Sequence, residues 1–530
     1  MREVMTTVKA MYDTYQGTGM QMALFFACIL YLLVVKKEKE KRVFFTGYTL
    51  VFFIICFFPV TAKIIMDYCI GAEVYWRMFW LLPVPVLIAY TGAQILSDIP
   101  GRAKRAGMLA VMAGIIVLTG SCLYNGTLFQ HKQNQYNLPN NTVEICDIIE
   151  QDAKENGITE KKLATVNEFL ETVRQYDADI LMPYGNEVVK GNKAESENAS
   201  SLFRLMSSDV KNWQAISWYA AATDCNYLVS PVGTDTQAAV SVNGYQRVGG
   251  NASYDVYRRD QAKEWYQGKW LITQYGSNEG NQLMFYTMQD MEGHLVVVDG
   301  GWAADEEFVR QVLKAQGNHV DAWIITHPHR DHAGAFCEIW QNPGKLKVDQ
   351  VYAVDMAPKE LCLANAPWDE TEAYDVWVTL DIPQLTYVHA GDRFQIGSLS
   401  VEVFNAYDDY VDEISDDLLN DGSMMFKVTA DQESMLFCAD VGKKMSDYLL
   451  KTWGGHLKAD YIQMGHHGNG GLKKDFYQQI GAKGAFFDAP EWLMQDKSGQ
   501  YTTMENTALM AGEKAVIYSF ATTPNQIVLQ

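Results

Sequence analysis

The stretch Thr326-His327-Pro328-His329-Arg330-Asp331-His332 is the most informative part of the sequence for predicting the fold and the chemistry of this chain. It follows an apolar run at 322–325 that has the composition of a buried strand. Imidazole and carboxylate are the ligands that divalent transition metals prefer at hydrolytic sites. In an extended turn, His327 and His329 can face one ion while Asp331 and His332 face another. The chain has 10 histidines in 530 residues, so three of them beside an aspartate indicate a metal site rather than an ordinary polar loop.

Further ligand-type side chains follow other hydrophobic strands. Asp299 comes directly after three valines, and we expect it to hold the histidine loop from behind. Asp440 ends a second hydrophobic run, and its two carboxylate oxygens are able to bridge two ions. His466 and His467 lie on a glycine-flanked turn after a third run. A single aspartate at a strand end is more often a cap or turn residue, so the repetition of the pattern carries the argument.

These motifs resemble the metallo-β-lactamase fold superfamily over roughly residues 268–530. The resemblance implies an α/β fold, an αββα sandwich with one or two metals at the edge of its two sheets. It assigns ligands to two metal positions: His327 and His329 to the first, Asp331 and His332 to the second, and Asp440 to both. One more histidine completes the second position. His467, directly before Gly468, is the preferred ligand, and His466 stays an alternative.

Within that superfamily, the chain resembles the external hydrolase domain of ComEC-type competence proteins and related phosphodiesterases. The resemblance rests on the order of four short motifs, Gly391-Asp392, Asn420-Asp421-Gly422-Ser423, Ala439-Asp440 and His466-His467-Gly468. Many superfamily members have another histidine about twenty residues before the bridging aspartate, where this chain has Asn420 and Asp421. The first metal is therefore expected either to be held more weakly or to be completed by Asp421, since His389 fits a strand-end turn better. Asn469 replaces the serine that usually follows the two histidines and glycine. Asn420, Asp421 and Asn469 are thus candidates for metal or substrate contacts.

The resemblance implies two divalent metal ions, with zinc favoured and manganese as the alternative. Two bridged ions lower the pKa of a shared water and neutralise charge that develops on the substrate. Asp331, next to that water, is the candidate catalytic base or orienting group.

Four long apolar segments in the first part of the chain predict four transmembrane helices, since each approaches the roughly 20 residues that cross a bilayer. They lie at 17–35, 43–62, 78–96 and 106–123. Basic residues concentrate after the first and third segments, including Lys36, Lys37 and Arg102. Because such loops stay in the cytoplasm, everything after the fourth segment is expected outside it, as part of a multi-pass protein of the cell membrane.

Composition divides the chain into three predicted domains: a membrane domain at 1–126, a small extracytoplasmic α/β domain at 127–262, and the hydrolase domain at 263–530. The small domain loosely resembles the external domain of some polytopic bacterial glycosyltransferases. Its Cys146 and Cys225 are candidates for a disulfide bridge, which sequence alone does not pair. Its polar stretch at 188–201 is expected to form a loop.

The formal net charge of −21 argues against a protein that clings non-specifically to duplex nucleic acid. It leaves room for a small anionic substrate, because bound metal ions supply local positive charge. The leading hypothesis is a membrane-anchored extracytoplasmic phosphodiesterase acting on nucleic acid or a cell-envelope polymer. The alternatives are a lactam, ester or thioester hydrolase, a component of DNA uptake or transport, and a non-catalytic sensor. The natural protein partners stay open.

Overall fold

A computed structural model describes residues 2–17, 19–35, 39–120, 132–189, 191, 194–233, 236–260 and 268–530. The chain forms two compact units, Met1–His131 and Lys132–Gln530. The predicted domain boundaries at 126/127 and 262/263 lie outside the described residues, as do Lys36 and Lys37 of the first basic loop. The boundaries therefore stay predictions.

The described part of the first unit is helical. Its helices are Arg2–Gln16, Gln21–Val34, Lys39–Phe57, Pro59–Ile65, Met66–Ile70, Tyr75–Leu81, Val84–Ser97 and Arg102–Thr119. One stretch, Tyr75–Ser97, is long and apolar enough to cross a membrane, and the number rises to three if each of two bent helix pairs counts as one span. Membrane association is thus supported by length and composition, whereas four spans are not confirmed.

The differences from the predicted spans have local causes. Pro59 begins a new helix within the second predicted segment, because proline lacks the N–H that would continue the helix before it, and the two pieces meet at 76°. The fourth segment lies in Arg102–Thr119, whose first turn carries Arg102, Lys104 and Arg105. With these three charges, the 18-residue helix has too many charged side chains to count as a membrane span by length and composition.

A small α/β region begins the second unit. Its strands, in spatial order, are Ile180–Leu181, Lys161–Ala164, Tyr227–Pro231, Tyr254–Arg259 and Tyr245–Gly250; the first three are parallel. Its helices are Asn140–Glu155, Val173–Tyr176, Asn186–Val189, Glu197–Ser207, Trp213–Ala222 and Thr236–Ser241. The predicted loop at 188–201 in fact contains the start of Glu197–Ser207, capped by Ser196. Cys146 and Cys225 are buried free thiols, so the suggested bridge was wrong.

Two seven-stranded sheets form most of the rest of this unit, beside a parallel pair of short strands, His319–Val320 and Lys347–Val348. The first has, among the described residues and in spatial order, Leu385–Tyr387, Val351–Ala353, Ala322–Ile324, Leu295–Asp299, Phe285–Gln289, Trp270–Gln274 and Asn525–Leu529. The second has Arg393–Ile396, Leu399–Asn405, Met425–Thr429, Ser434–Phe437, Tyr461–Gln463, Gly484–Phe486 and Val516–Tyr518. In each sheet four neighbouring strands are parallel and the others antiparallel.

Alternation along the strands explains why these sheets stack. In Leu295–Asp299, Val296 and Val298 enter the core shared by both sheets, while Val297 packs on the opposite face. Successive strand side chains point to opposite faces, so a continuous valine run is expected for a strand buried on both sides. The mixed α/β class is confirmed.

Helices cover the outer faces of both sheets. Glu306–Ala315 and Arg330–Gln341 pack on the first sheet, and Ser446–Trp453 and Lys474–Ile480 pack on the second. The layers therefore run helix, sheet, sheet, helix. The other helices of this region are Lys359–Asn365, Glu372–Trp377, Asp409–Ile414, Leu418–Asp421, Glu491–Met494 and Thr503–Gly512.

The small α/β region covers one edge of the first sheet. Asn525–Leu529 is the last strand at that edge. Helix Trp213–Ala222 lies beside it, and the Asn212 Nδ2 donates a hydrogen bond to the Gln526 carbonyl at 2.8 Å. Val528 belongs to the apolar core of the small region. The two regions thus share one core.

Candidate metal centre

The candidate ligands gather where parallel strands of both sheets end. Asp299 is the last residue of Leu295–Asp299, and the histidine loop follows the neighbouring strand Ala322–Ile324. In the second sheet, Asp440 follows Ser434–Phe437 and the two histidines follow Tyr461–Gln463. The carboxyl ends of parallel strands share one edge of a sheet, so four loops distant in sequence meet at one place.

Asp299 contacts the histidine loop directly. Its side chain is fully buried, and it accepts hydrogen bonds from the Thr326 backbone N–H at 2.8 Å and from the Thr326 hydroxyl at 2.7 Å. It also lies 2.7 Å from Nδ1 of His332. A carboxylate only accepts, so Nδ1 of His332 donates. Nε2 is thereby left to face the site.

One cluster of ligand atoms is formed by Asp331, His332 and His467, which lie within 4.8 Å of one another. Nε2 of His467 is 3.1 Å from Oδ2 of Asp331 and 3.4 Å from Nε2 of His332. It also lies 3.4 Å from Oδ2 of Asp440. These contacts bring together residues that lie 135 positions apart in the chain.

A second cluster is formed by His327, His332 and Asp440, again within 4.8 Å of one another. Nε2 of His327 is 4.0 Å from Oδ2 of Asp440 and 2.9 Å from Nδ1 of His329. Nε2 of His332 is 3.3 Å from Oδ1 of Asp440. Asp440 therefore contacts histidines of both clusters.

The two adjacent histidines of the late turn differ in position. His467 has 1% of its side chain exposed, whereas His466 has 36% exposed and lies 3.8 Å from Oδ2 of Asp440. Both residues have positive φ angles of 52° and 57°, which non-glycine residues rarely adopt. Asn469 supports this turn rather than the clusters, because its side-chain oxygen accepts a hydrogen bond from the Thr502 backbone N–H at 3.0 Å.

Asn420 and Asp421, which stand where many superfamily members have a histidine, have different surroundings. Asp421 accepts hydrogen bonds from the Gly442 backbone N–H at 2.7 Å and from the Ser415 hydroxyl at 2.6 Å. Both of its oxygens are engaged, so the residue supports the loop that follows Asp440. Burial raises the pKa of Asp421 to about 6. Asn420 donates to Asp417 at 2.8 Å, and its side-chain oxygen is buried without a hydrogen-bond partner among the described residues.

A buried hydrogen-bond network behind Asp440 was missed by sequence reasoning. The Gln463 side-chain oxygen accepts from the backbone N–H groups of Cys438 and Ala439, both at 2.8 Å. Its amide nitrogen donates to Asp488 at 3.0 Å, and Asp488 also accepts from the Tyr286 hydroxyl at 2.6 Å. Gln463 and Asp488 both lie at strand ends, the same signal that pointed to Asp299.

Asp369 was also missed. Its carboxylate lies 2.8 Å from Nε2 of His329. The residue comes from the segment between strands Val351–Ala353 and Leu385–Tyr387, in a polar stretch with no hydrophobic pattern around it. No signal in the sequence pointed to it.

Charges at the site are strongly coupled. Burial lowers the pKa of His332, but the Asp440 and Asp299 carboxylates outweigh it and hold the pKa well above its ordinary value. Burial likewise lowers the pKa of His467, yet Asp440 and Asp331 raise it to about 10. Burial raises the pKa of Asp440, but the surrounding histidines hold it well below its ordinary value. The carboxylates thus create a place where positive charge is stable.

These residues fit a divalent metal. The donors are imidazole nitrogens and carboxylate oxygens, the set that zinc and manganese accept. Oδ1 of Asp440 is buried and faces Nε2 of His332 at 3.3 Å. A buried carboxylate oxygen is costly unless a cation or a donor satisfies it. The orienting carboxylate on His332 is the arrangement that metal-binding histidines usually have.

Part of this chain is similar to known proteins. No curated protein matches the chain. Among solved structures, the metallo-beta-lactamase fold protein YhfI from Bacillus subtilis is 11% identical, with a TM-score of 0.33, over 49% of this chain and 99% of its own. A diphosphatase from the PhnP family is 13% identical, with a TM-score of 0.29, over 49% and 97%. Residues 286–349, which include Asp299 and the histidine loop, match the family model described as the Metallo-beta-lactamase superfamily. The part of the chain that contains Asp299 and the histidine loop is therefore similar to this superfamily.

Proposed function

We propose that this protein is a membrane-anchored, metal-dependent hydrolase whose catalytic domain lies on the extracytoplasmic side and cleaves phosphodiesters of nucleic acid or of a cell-envelope polymer. The observation that carries the proposal is the pair of clusters that meet at Asp440. Four histidine rings, those of His327, His332, His466 and His467, present Nε2 to this one buried carboxylate within 4.0 Å. Superfamily members are mostly metal-dependent hydrolases.

The ligand assignment is the one predicted from sequence, and the two clusters support it in part, since His332 belongs to both clusters and His329 to neither. His327 and His329 would hold the first metal, and Asp331, His332 and His467 the second, with Asp440 between them. His466 stays available at the more exposed side of the site. When bound, two divalent cations supply a nucleophilic water at neutral pH and neutralise charge on the attacked group.

Asp331 is the candidate that orients the reacting water or holds its proton. Its carboxylate accepts from the Gln282 side-chain N–H at 3.3 Å and lies in the first turn of Arg330–Gln341. Burial raises its pKa, but the hydrogen bond from His467 and the charge of His332 hold the pKa of Asp331 well below its ordinary value. The side chain therefore stays ionised and keeps its orientation.

The acidic surroundings bear on the substrate class. Asp331 and Asp440 lie within the site, and the nearby Arg330 is paired with Glu370. An anionic phosphodiester would be repelled by these carboxylates without bound cations. Substrate binding, as well as turnover, is thus expected to require metal.

The enzymatic test uses the full chain in detergent, stripped of metal and reloaded with zinc or manganese. A panel of a bis-aryl phosphate, single-stranded nucleic acid, a lactam and a thioester distinguishes the substrate classes. We expect metal-dependent cleavage of the phosphodiesters, and loss of at least about 100-fold in rate when Asp331 and His332 are both replaced by alanine. The matched control is His319→Ala, which removes an exposed histidine paired with Asp349 at 2.8 Å.

Unchanged activity of the double variant, or cleavage by the metal-free protein, would show that this site is not the catalytic one. Cleavage of the lactam or thioester alone would reject the phosphodiester proposal and keep the hydrolase. The location is tested separately: a reporter that is active only outside the cytoplasm, fused after residue 130, should be active. A silent fusion would reject the proposed orientation.

A further inference from the structure

We infer that Asp369 positions His329 and thereby determines whether the first metal position is filled. The inference rests on the proposed function, because it concerns how that same site holds metal. It assigns a role to a segment that the strand-end motifs do not include.

The contact is direct and buried. Oδ1 of Asp369 lies 2.8 Å from Nε2 of His329, and the Asp369 side chain is 7% exposed. The next residue, Glu370, pairs with Arg330, the residue after His329. Two successive acidic residues therefore hold two successive residues of the histidine loop.

The hydrogen bond selects the ring nitrogen that is able to bind metal. A carboxylate accepts only, so Nε2 of His329 carries the hydrogen. The lone pair then lies on Nδ1, which is 2.9 Å from Nε2 of His327. A neutral imidazole binds metal only through its unprotonated nitrogen, so Asp369 directs Nδ1 of His329 towards the first position.

A carboxylate also fixes a histidine ring at the second position, but there it accepts from Nδ1 instead of Nε2. Asp299 accepts from Nδ1 of His332 at 2.7 Å and leaves Nε2 towards Asp440. Each candidate metal position thus has one buried carboxylate that fixes one histidine. The two carboxylates come from unrelated parts of the chain.

Two observations make Asp369 more than a packing residue. Its second oxygen, Oδ2, is buried with no hydrogen-bond partner in the part of the chain that the structure describes. Burying a carboxylate is costly unless its charge is used. In addition, both oxygens of Asp421, the other candidate for the first position, are engaged elsewhere. His327 and His329 therefore carry more of the binding there.

The experiment measures metal stoichiometry and affinity rather than turnover. Full-length protein in detergent is stripped of metal and titrated with cobalt, with bound metal counted by elemental analysis and followed by its absorption spectrum. We expect two metals in the unmodified chain and one tightly bound metal in Asp369→Ala. The affinity of the first position should fall by roughly 10- to 100-fold.

Two further variants make the result specific. Asp369→Asn keeps an acceptor for Nε2–H without the charge, so its first-position affinity should lie between those of the unmodified chain and the alanine variant. Glu370→Gln changes the neighbouring acid, which contacts no candidate ligand ring, and should retain two metals. If Asp369→Ala does not fold, as judged by circular dichroism, the asparagine variant carries the test.

The outcomes separate the two proposals. Two metals bound with unchanged affinity in the asparagine and alanine variants would overturn the role of Asp369 and leave the hydrolase proposal standing. Equal weakening of both positions would also overturn it, because the inference is specific to the first. An unmodified chain that binds no metal would overturn both.

Discussion

Adding one methyl group at Gly468 should displace the turn that presents His467. Gly468 has a φ of +85°, and a Cβ atom there would lie 2.2 Å from Cδ1 of Phe487. Phe487 is fully buried and packed in the outer core of the second sheet. Neither the turn nor the ring is free to move without disturbing its neighbours.

The size of the effect follows from two separate costs. A left-handed conformation costs alanine about 1 kcal/mol relative to glycine. Forcing a methyl group into a packed core costs a further 1–3 kcal/mol or so. Gly468→Ala should therefore lower the free energy of unfolding by about 2–4 kcal/mol.

Gly470→Ala is a matched control two residues away. Its φ is +80°, nearly the same, but the nearest atom to an added Cβ is Nδ1 of His466 at 3.5 Å, an ordinary contact. This variant should lose only about 1 kcal/mol, the conformational cost alone. The difference between the two variants isolates the collision with Phe487.

The assay is urea unfolding of the metal-free protein in detergent, followed by tryptophan fluorescence, together with metal titration of each variant. Gly468→Ala should also weaken metal binding at the position that contains His467, whereas Gly470→Ala should not. Equal losses of stability in the two variants, or unchanged metal affinity in Gly468→Ala, would refute the reasoning.

Two further predictions concern groups behind the site. The pKa of Asp421 is raised to about 6 from an ordinary 3.8, so the folded protein binds this proton more tightly than the unfolded chain does. Protonated Asp421 therefore adds about 3 kcal/mol to the free energy of unfolding below pH 4, and this contribution is lost as the pH rises to about 6. In urea unfolding of the metal-free proteins, the free energy of unfolding of Asp421→Asn relative to that of the unmodified chain should rise by about 3 kcal/mol between pH 4 and pH 7. A difference in free energy that does not change with pH would contradict this. Gln463→Leu removes the acceptor of two buried backbone N–H groups, at Cys438 and Ala439, and should lower the free energy of unfolding by about 2–4 kcal/mol. A loss no larger than that of Gln495→Leu, an exposed glutamine, would show that the two groups find other partners.

The site residues that could be predicted from sequence are those whose position follows from the local hydrophobic pattern. Asp299, Asp440 and His467 each follow a hydrophobic strand, and parallel strands end at one edge whatever the intervening chain does. The structure brings these three residues together around the histidine loop. Strand-end position therefore carried information about tertiary contacts.

The parts that were not readable depend on the path of the chain in space. Asp369 reaches His329 from a segment whose course no periodicity encodes. Asp421 has the chemistry of a ligand, but its oxygens are used by Gly442 and Ser415, and only the folded chain shows that. In the first unit, Pro59 was visible in the sequence, yet the prediction of a span from the apolar content of the whole segment did not show that the helix breaks there.

The covered edge strand has a practical consequence for how this protein can be divided. Asn525–Leu529 pairs on one side with Trp270–Gln274 and is flanked on the other by helix Trp213–Ala222. A chain cut near residue 262 would leave that strand with bare amide and carbonyl groups and an uncovered Val528. Such an edge recruits strands from other molecules. The small region thus covers an edge that would otherwise favour self-association, and a fragment of the second unit that stays monomeric has to include it.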